Sequence, residues 1–281
     1  MSKNILITGA GSGLGKETSC RLAAMGYKVI MVCRNLESGE PARQDVISKS
    51  GNPDVDLLIA DLSSFDGIRN LAGEIYRKYE KLDVLLNNAG VFVTRLNYTR
   101  DGHELQWAVN HLAPFLLTGL LIDLLGRSTP SRIITVSSVA NYKGLIHFDD
   151  PNLEKKYNGL TAYRQSKLAN VLFTFELAER IKSRGIKANC LHPGIVRTRF
   201  GHRNNHSWMG WLWYSWKPFM FSVKQGAYCM VKLASDPALE GISGKYFDFD
   251  GKEKIPNRQA LDPLLRNKLW TISESSTGFS Y

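Results

Sequence analysis

With 281 residues, 43% of them hydrophobic and 22% charged, the chain has ample material for a buried core and is neither disordered nor collagen-like in composition. Its 36 Lys and Arg against 26 Asp and Glu leave a formal charge of +10, which favours anionic partners: a phosphorylated cofactor, an acidic membrane surface or nucleic acid. Four cysteines, Cys20, Cys33, Cys190 and Cys229, are too few and too widely spaced for a disulfide framework or a paired zinc motif, so a reducing compartment and no bound metal are expected.

The apolar run at the start is far shorter than the roughly 7–15 residues of a signal-peptide core, and no secretory targeting is expected. A β-branched run at 5–8 leads through glycines into a helix over 16–25. Further strand-like runs follow at 28–33, 55–60, 84–87, 132–137, 186–191 and 245–247, several of them apolar on successive residues, as suits parallel strands covered on both faces. Between them, Phe65, Ile68, Leu71, Ala72, Ile75, Tyr76 and Tyr79 recur at helical spacing. The apolar stretch 112–125 is interrupted by Asp123 and falls short of the roughly 20 residues that span a bilayer, so a cytoplasmic chain without a transmembrane helix is expected. Near the end, Asp262-Pro263-Leu264-Leu265 reads as an N-cap, a first-turn proline and a short helix packed over the domain.

This alternation predicts an α/β fold: a doubly wound parallel sheet of about seven strands with helices on both faces, whose ligands bind beyond the carboxyl ends of the strands. No linker, repeat or charge block divides the chain, so 1–281 reads as one domain. Two segments, 141–160 and 201–222, break the rhythm. The apolar helices at 105–125 and 162–181 could pair across a homodimer.

The chemistry-bearing residues fall after the strands. Thr8-Gly9-Ala10-Gly11-Ser12-Gly13-Leu14-Gly15 sits between strand and helix, where glycines let the backbone approach a pyrophosphate and the helix N-terminus supplies donors; a plain turn is the alternative. After the second strand, where an Asp or Glu would hold the 2′-hydroxyl of NAD, stands Arg34, suited to the 2′-phosphate of NADP unless it is a solvated surface arginine. Asp61-Leu62 could bring a carboxylate to the adenine amine, or Asp61 could cap a helix. Asn87-Asn88-Ala89-Gly90 can shape a loop against the cofactor or simply make a turn, with structural support the expected role, and Asn110 is a buried amide in need of partners or the cap of a helix kink. Tyr163 and Lys167 share a helix face, so the ammonium can lower the phenol's pKa and let it exchange a proton with substrate, while Ser138 holds a carbonyl oxygen.

Together, Thr8-Gly9, Gly13, Gly15, Asp61, Asn87-Asn88-Ala89-Gly90, Asn110, Ser138, Tyr163, Lys167 and Pro193-Gly194 resemble the short-chain dehydrogenase/reductase family, in family order over about residues 3–250. The resemblance implies a Rossmann-like fold and a catalytic tetrad of Asn110, Ser138, Tyr163 and Lys167. It also implies a cofactor site of Gly9, Ser12, Gly13, Leu14, Gly15, Arg34, Asp61, Leu62, Asn88, Ala89, Gly90, Tyr163, Lys167, Pro193, Gly194, Ile195 and Thr198, with NADP(H) preferred over NAD(H). Cys33-Arg34-Asn35, the long gap from Ser138 to Tyr163, Ser166-Lys167-Leu168-Ala169-Asn170 and His192-Pro193-Gly194 look like the retinol dehydrogenase branch, whose members act on retinal and other lipophilic aldehydes or the corresponding alcohols. In that family the 201–222 region forms a substrate lid; here it carries Trp208, Trp211, Trp213 and Trp216, with basic neighbours that also suit peripheral contact with a membrane.

The expected function is NADP(H)-dependent interconversion of a lipophilic aldehyde or ketone with its alcohol. Two alternatives stand beside it: a non-catalytic NADPH-binding regulatory or scaffold protein, which the complete tetrad opposes, and a nucleotide-sugar epimerase, opposed by Ser12 where that branch expects glycine. His192 is expected to pack rather than catalyse. The dispersed Lys and Arg residues, without a helix-turn-helix, zinc or RNA-binding motif, argue against nucleic acid.

Overall fold

Parallel strands joined by helical crossovers build the framework of the site. The computed structural model describes residues 2–196 and 221–281. Strands β1 (Asn4–Thr8), β2 (Lys28–Cys33), β3 (Val55–Ile59), β4 (Val84–Asn87), β5 (Ser131–Val136), β6 (Ile186–Leu191) and β7 (Tyr246–Phe247) form one sheet in the order β3-β2-β1-β4-β5-β6-β7. Every pairing in it is parallel. The strands match the expected runs to within a residue at each end, because a strand buried on both faces writes itself as an unbroken apolar run. From β1 the chain winds outward to β3, then returns to lay β4 against β1 on the other side. That reversal opens a crevice beyond the carboxyl ends of β1 and β4.

The described helices are α1 (Gly13–Ala24), α2 (Leu36–Ser50), α3 (Phe65–Lys78), α4 (Leu105–Gly126), α5 (Gly159–Arg180), α6 (Val223–Ser235) and α7 (Pro263–Thr277). Alternate strand residues point to opposite faces, and both faces are apolar. Ile5, Ile7, Val29 and Met31 pack under α1, α2 and α6. Leu6, Ile30 and Val32 pack under α3, α4 and α5. Helix α3 buries the predicted stripe of Ile68, Leu71, Ala72 and Ile75, and Ser64 caps its start by accepting from Gly67 N–H. Helix α4 is long and apolar enough, by length and composition, to cross a membrane, yet 89% of its most apolar window is buried within the fold.

The C-terminal helix departs from the expected short cap. Asp262 accepts from Leu264 N–H and Pro263 opens the helix as anticipated, but α7 runs for 15 residues. Its length follows from a buried face of Leu269, Trp270, Ser273 and Thr277, which packs against α5. Beyond it, Tyr281 donates to the Phe115 carbonyl at 2.6 Å, and its ring meets Phe115 edge-on and Trp270 at a tilt. Gly119 of α4 makes room for this tail, since a Cβ there would collide with the Phe279 ring. The tail and α7 thus cover part of the apolar surface of α4 and α5 within the chain. Deleting residues 279–281 is expected to cost about 3 kcal/mol by uncovering Phe115 and Trp270, a fall in Tm of roughly 6–12 °C. A thermal melt with unchanged midpoint would show that the tail adds nothing.

Candidate active site at the strand ends

Thr8 closes β1 and hands the chain to the glycine loop. Gly9 and Gly13 hold φ of +65° and +54°, the left-handed region that favours glycine. Gly15 has another reason to be small: a Cβ there would meet the Gly9 carbonyl and lie 2.6 Å from Asn88 Nδ2. Ser12 precedes α1 in extended backbone, and among the described residues no side chain caps the first-turn N–H groups of Gly13, Leu14 and Gly15. A helix end with uncapped donors, approached by a backbone without side chains, fits a pyrophosphate.

The loop after β4 braces this turn. Thr8 Oγ1 accepts from the N–H groups of Asn88 and Ala89, both at 3.0 Å, and Asn88 Nδ2 donates to Thr8 O at 2.7 Å. Asn87 is buried and donates to Thr118 of α4. The supporting role expected of Asn87-Asn88-Ala89-Gly90 is therefore visible as hydrogen bonds. Arg34 lies exposed directly after β2. Asp61 is exposed, with Oδ1 accepting from the Ser63 N–H and hydroxyl, while the N-cap of α3 is Ser64. Leu62 packs against the core beneath it.

Asn110 occupies a single π-helical turn, 108–112, inside α4. Fully buried, its amide is satisfied by three contacts: Oδ1 accepts from Val91 N–H at 2.7 Å, and Nδ2 donates to Val91 O and Ser166 Oγ, both at 3.0 Å. The extra residue in the turn aims this amide at the loop after β4. A Cβ on Gly90 would lie 3.2 Å from Asn110 Oδ1 and 3.3 Å from Lys167 Nζ, so this glycine floors the gap between the two.

Ser138 follows β5, and its Oγ accepts from Ala140 N–H while also bonding the Tyr163 hydroxyl. Helix α5 starts at Asn158, whose side chain accepts from Leu160 and Thr161 N–H. One turn in, Tyr163 and Lys167 share a face, with Nζ 5.9 Å from the phenol ring centre. Lys167 is 3% exposed and donates to the Val136 carbonyl at 3.0 Å. Ser137 fixes the same turn from behind, donating to Lys167 O at 2.6 Å.

The electrostatics differ from the expectation of a lowered phenol. Burial pushes Tyr163 up to about 12, outweighing the Ser138 hydrogen bond that favours phenolate. Burial likewise holds Lys167 down to about 8, with the Cys190 thiol opposing. At neutral pH Tyr163 therefore keeps its proton and Lys167 is largely cationic. Desolvation of the pocket wall dominates both groups.

Pro193 is buried, and Ile195 is exposed beside the crevice. His192 Nδ1 accepts from Gly194 N–H at 3.2 Å, and its Nε2 lies 3.4 Å from Asp248. It is a packed histidine that shapes this turn, as expected. Ser166 was not anticipated as Asn110's partner; its position three residues after Tyr163, on the same helix face, is the signal that could have found it. Thr198, Trp208, Trp211, Trp213 and Trp216 lie outside the described residues. The end of the expected lid is partly helix start, since Ser222 forms a capping box with Gln225. Phe221 packs against Phe249 at 4.3 Å. The described residues contain no cluster of His, Cys, Asp or Glu that could hold a metal ion.

The family profile described as short chain dehydrogenase matches residues 3–208. Mouse retinol dehydrogenase 14 is 42% identical over 98% of this chain and 86% of its own length. Human retinol dehydrogenase 11 is 40% identical over 96% of this chain and 84% of its own. Among solved structures, an uncharacterized protein of Mycobacterium paratuberculosis superposes with a TM-score of 0.78 at 31% identity, covering 99% of this chain and 94% of its own. The Pseudomonas aeruginosa RhlG/NADP active-site complex gives 0.72 at 25% identity, covering 89% and 95%.

A buried lysine whose pKa falls from 10.5 to about 8 binds fewer protons in the folded than in the unfolded chain between those values. Stability should therefore rise with pH across that window, by on the order of 3 kcal/mol. Lys167→Met is expected to abolish this rise and to be at least as stable as the parent at pH 7, read from denaturant unfolding at a series of pH values. A rise retained in the variant would assign it to another group.

Proposed function

The chain belongs to the short-chain dehydrogenase family, and within it we propose an NADP(H)-dependent enzyme that interconverts a lipophilic aldehyde or ketone with its alcohol. The observation that carries this reading is the meeting of Ser138, Tyr163, Lys167 and Asn110 beside the uncapped start of α1. When bound, the nicotinamide supplies or accepts the hydride.

On binding substrate, Ser138 and the Tyr163 hydroxyl exchange their mutual hydrogen bond for two O–H groups aimed at one carbonyl oxygen, which polarise it. Held near 12, Tyr163 is a proton donor at neutral pH, which suits the reductive direction. As its proton leaves, the nearby Lys167 cation stabilises the phenolate that forms. Asn110 braces Val91 and Ser166 around this centre. The exposed Arg34, in the place of an acidic residue, supports NADP(H) by pairing with the 2′-phosphate. Phe92 meets the Tyr163 ring edge-on at 5.4 Å and supplies an apolar wall. That wall, with relatives named retinol dehydrogenases, supports a retinal-like or other apolar carbonyl. In this reading 1–281 act as one cofactor-binding and catalytic unit, and the tryptophan-rich 201–222 segment serves as substrate lid and membrane-facing surface.

Tyr163→Phe removes the donor and keeps the ring, so NADPH oxidation with aliphatic or retinoid aldehydes should fall by about 100-fold or more while NADPH affinity is kept. Near-parental turnover would sink the mechanism. Arg34→Asp should move the ratio of kcat/KM for NADPH over NADH towards NADH. An unchanged ratio would return Arg34 to the solvated surface.

A further inference from the structure

The serine of the tetrad is held at both of its oxygens by the turn that follows it. Val139–Lys143 form a short 3₁₀ turn directly after Ser138. Ser138 Oγ accepts from Ala140 N–H at 3.2 Å, so the hydroxyl's own proton is left to donate. Ser138 O takes two donors from a single residue, Asn141: its backbone N–H at 3.0 Å and its side-chain Nδ2 at 2.7 Å. The first bond is the ordinary closure of such a turn. The second needs an amide side chain.

Asn141 is fully buried, and both protons of its Nδ2 have an acceptor. One goes to Ser138 O, and the other to the Tyr246 hydroxyl of β7 at 2.6 Å. On the opposite side, Oδ1 receives Asn257 N–H at 3.4 Å. Inverting the amide fails, because Oδ1 would then stand 2.7 Å from Ser138 O, acceptor against acceptor. Asn257 also straps the turn from outside, its Nδ2 donating to the Asn141 and Gly144 carbonyls, both at 3.0 Å. Tyr246 is set firmly in the sheet: it is fully buried, pairs with Cys190 of β6, and lies with its ring 5.7 Å from that of His192.

We infer that Asn141 is a positioning residue that aims the Ser138 hydroxyl by fixing the Ser138 carbonyl. A carbonyl oxygen has two lone pairs. Asn141 fills both, so the peptide plane after Ser138 cannot rotate without breaking two bonds at once. Ser138 stands in extended backbone, with φ of −160° and ψ of 158°. The direction of its Oγ then follows from that plane and from the Ala140 bond. A shift of about 1 Å at a reacting group can cost up to 100-fold in rate, which makes turnover a sensitive reading of this grip. The inference rests on the tetrad reading, and adds that the 141–160 stretch, which breaks the alternation of strand and helix, opens with the residue that holds the serine.

Asn141→Leu in the full chain removes the amide at nearly the same size, and should lower kcat about tenfold with NADPH affinity, read by fluorescence, within about twofold. Tyr246→Phe separates positioning from packing, because it breaks the same buried pair and leaves Ser138 O both of its donors. Its Tm should fall by a similar amount while kcat stays within about twofold of the parent. In a Ser138→Ala background, Asn141→Leu should cost less than a further twofold, since the hydroxyl it aims is gone. Parental kcat in Asn141→Leu, an equal loss in Tyr246→Phe, or a full tenfold further loss in the double variant overturns the proposal. Amide hydrogen exchange tests it without turnover: protection over residues 138–144 should drop about tenfold in Asn141→Leu and stay parental in Tyr246→Phe. Unchanged protection in Asn141→Leu overturns it. A parent that oxidises no NADPH with any carbonyl would instead refute the functional reading.

Discussion

A lysine ammonium held almost out of reach of water is the constraint around which the site is arranged. Lys167 is 3% exposed and bonded to one backbone carbonyl, with a phenol and a thiol as titratable neighbours. Such burial costs stability below the lysine's lowered pKa. The surrounding elements offset that cost. Helix α5 is locked to β5 by the bond from Ser137 to the lysine's own carbonyl. The sheet beneath is apolar on both faces, and α7 and the aromatic tail close over α4 and α5, the helices that cover its second face.

The cofactor side depends on the opposite device, backbone laid bare instead of charge buried. The loop after β1 carries glycines where side chains would collide, and Asn88 fills the space with an amide that holds the loop's carbonyls. A glycine-lined turn and a desolvated phenol thus stand side by side at the point where the sheet reverses direction. Both rest on the same all-parallel sheet.

Much of this was legible beforehand, for identifiable reasons. The seven strands declared themselves because burial on both faces makes them continuous apolar runs, and Tyr163 and Lys167 because a spacing of four places them on one helix face. Contacts made to backbone atoms were not legible: nothing in the letters says that Lys167 and Asn170 meet at the carbonyl of Val136. Nor was the state of Tyr163, since the lysine is visible in the sequence while the desolvation that outweighs it is a property of the packed wall. The length of α7 was underread because its buried face is spread thinly over Leu269, Trp270, Ser273 and Thr277.

The π turn at 108–112 has a consequence for how α4 tolerates change. One surplus residue in a helix rotates everything beyond it by about 100°, so the stretch Leu105–Trp107 and the stretch Ala113–Gly126 are two helices of different phase sharing one axis. The second presents Phe115 to the tail and Gly119 to Phe279 only because the surplus sits where it does. Removing a single residue from 108–112 would therefore act less as a shortening than as a twist. It would turn the apolar seam of the long helix away from the sheet and, in the same motion, swing the amide of Asn110 off the loop it holds.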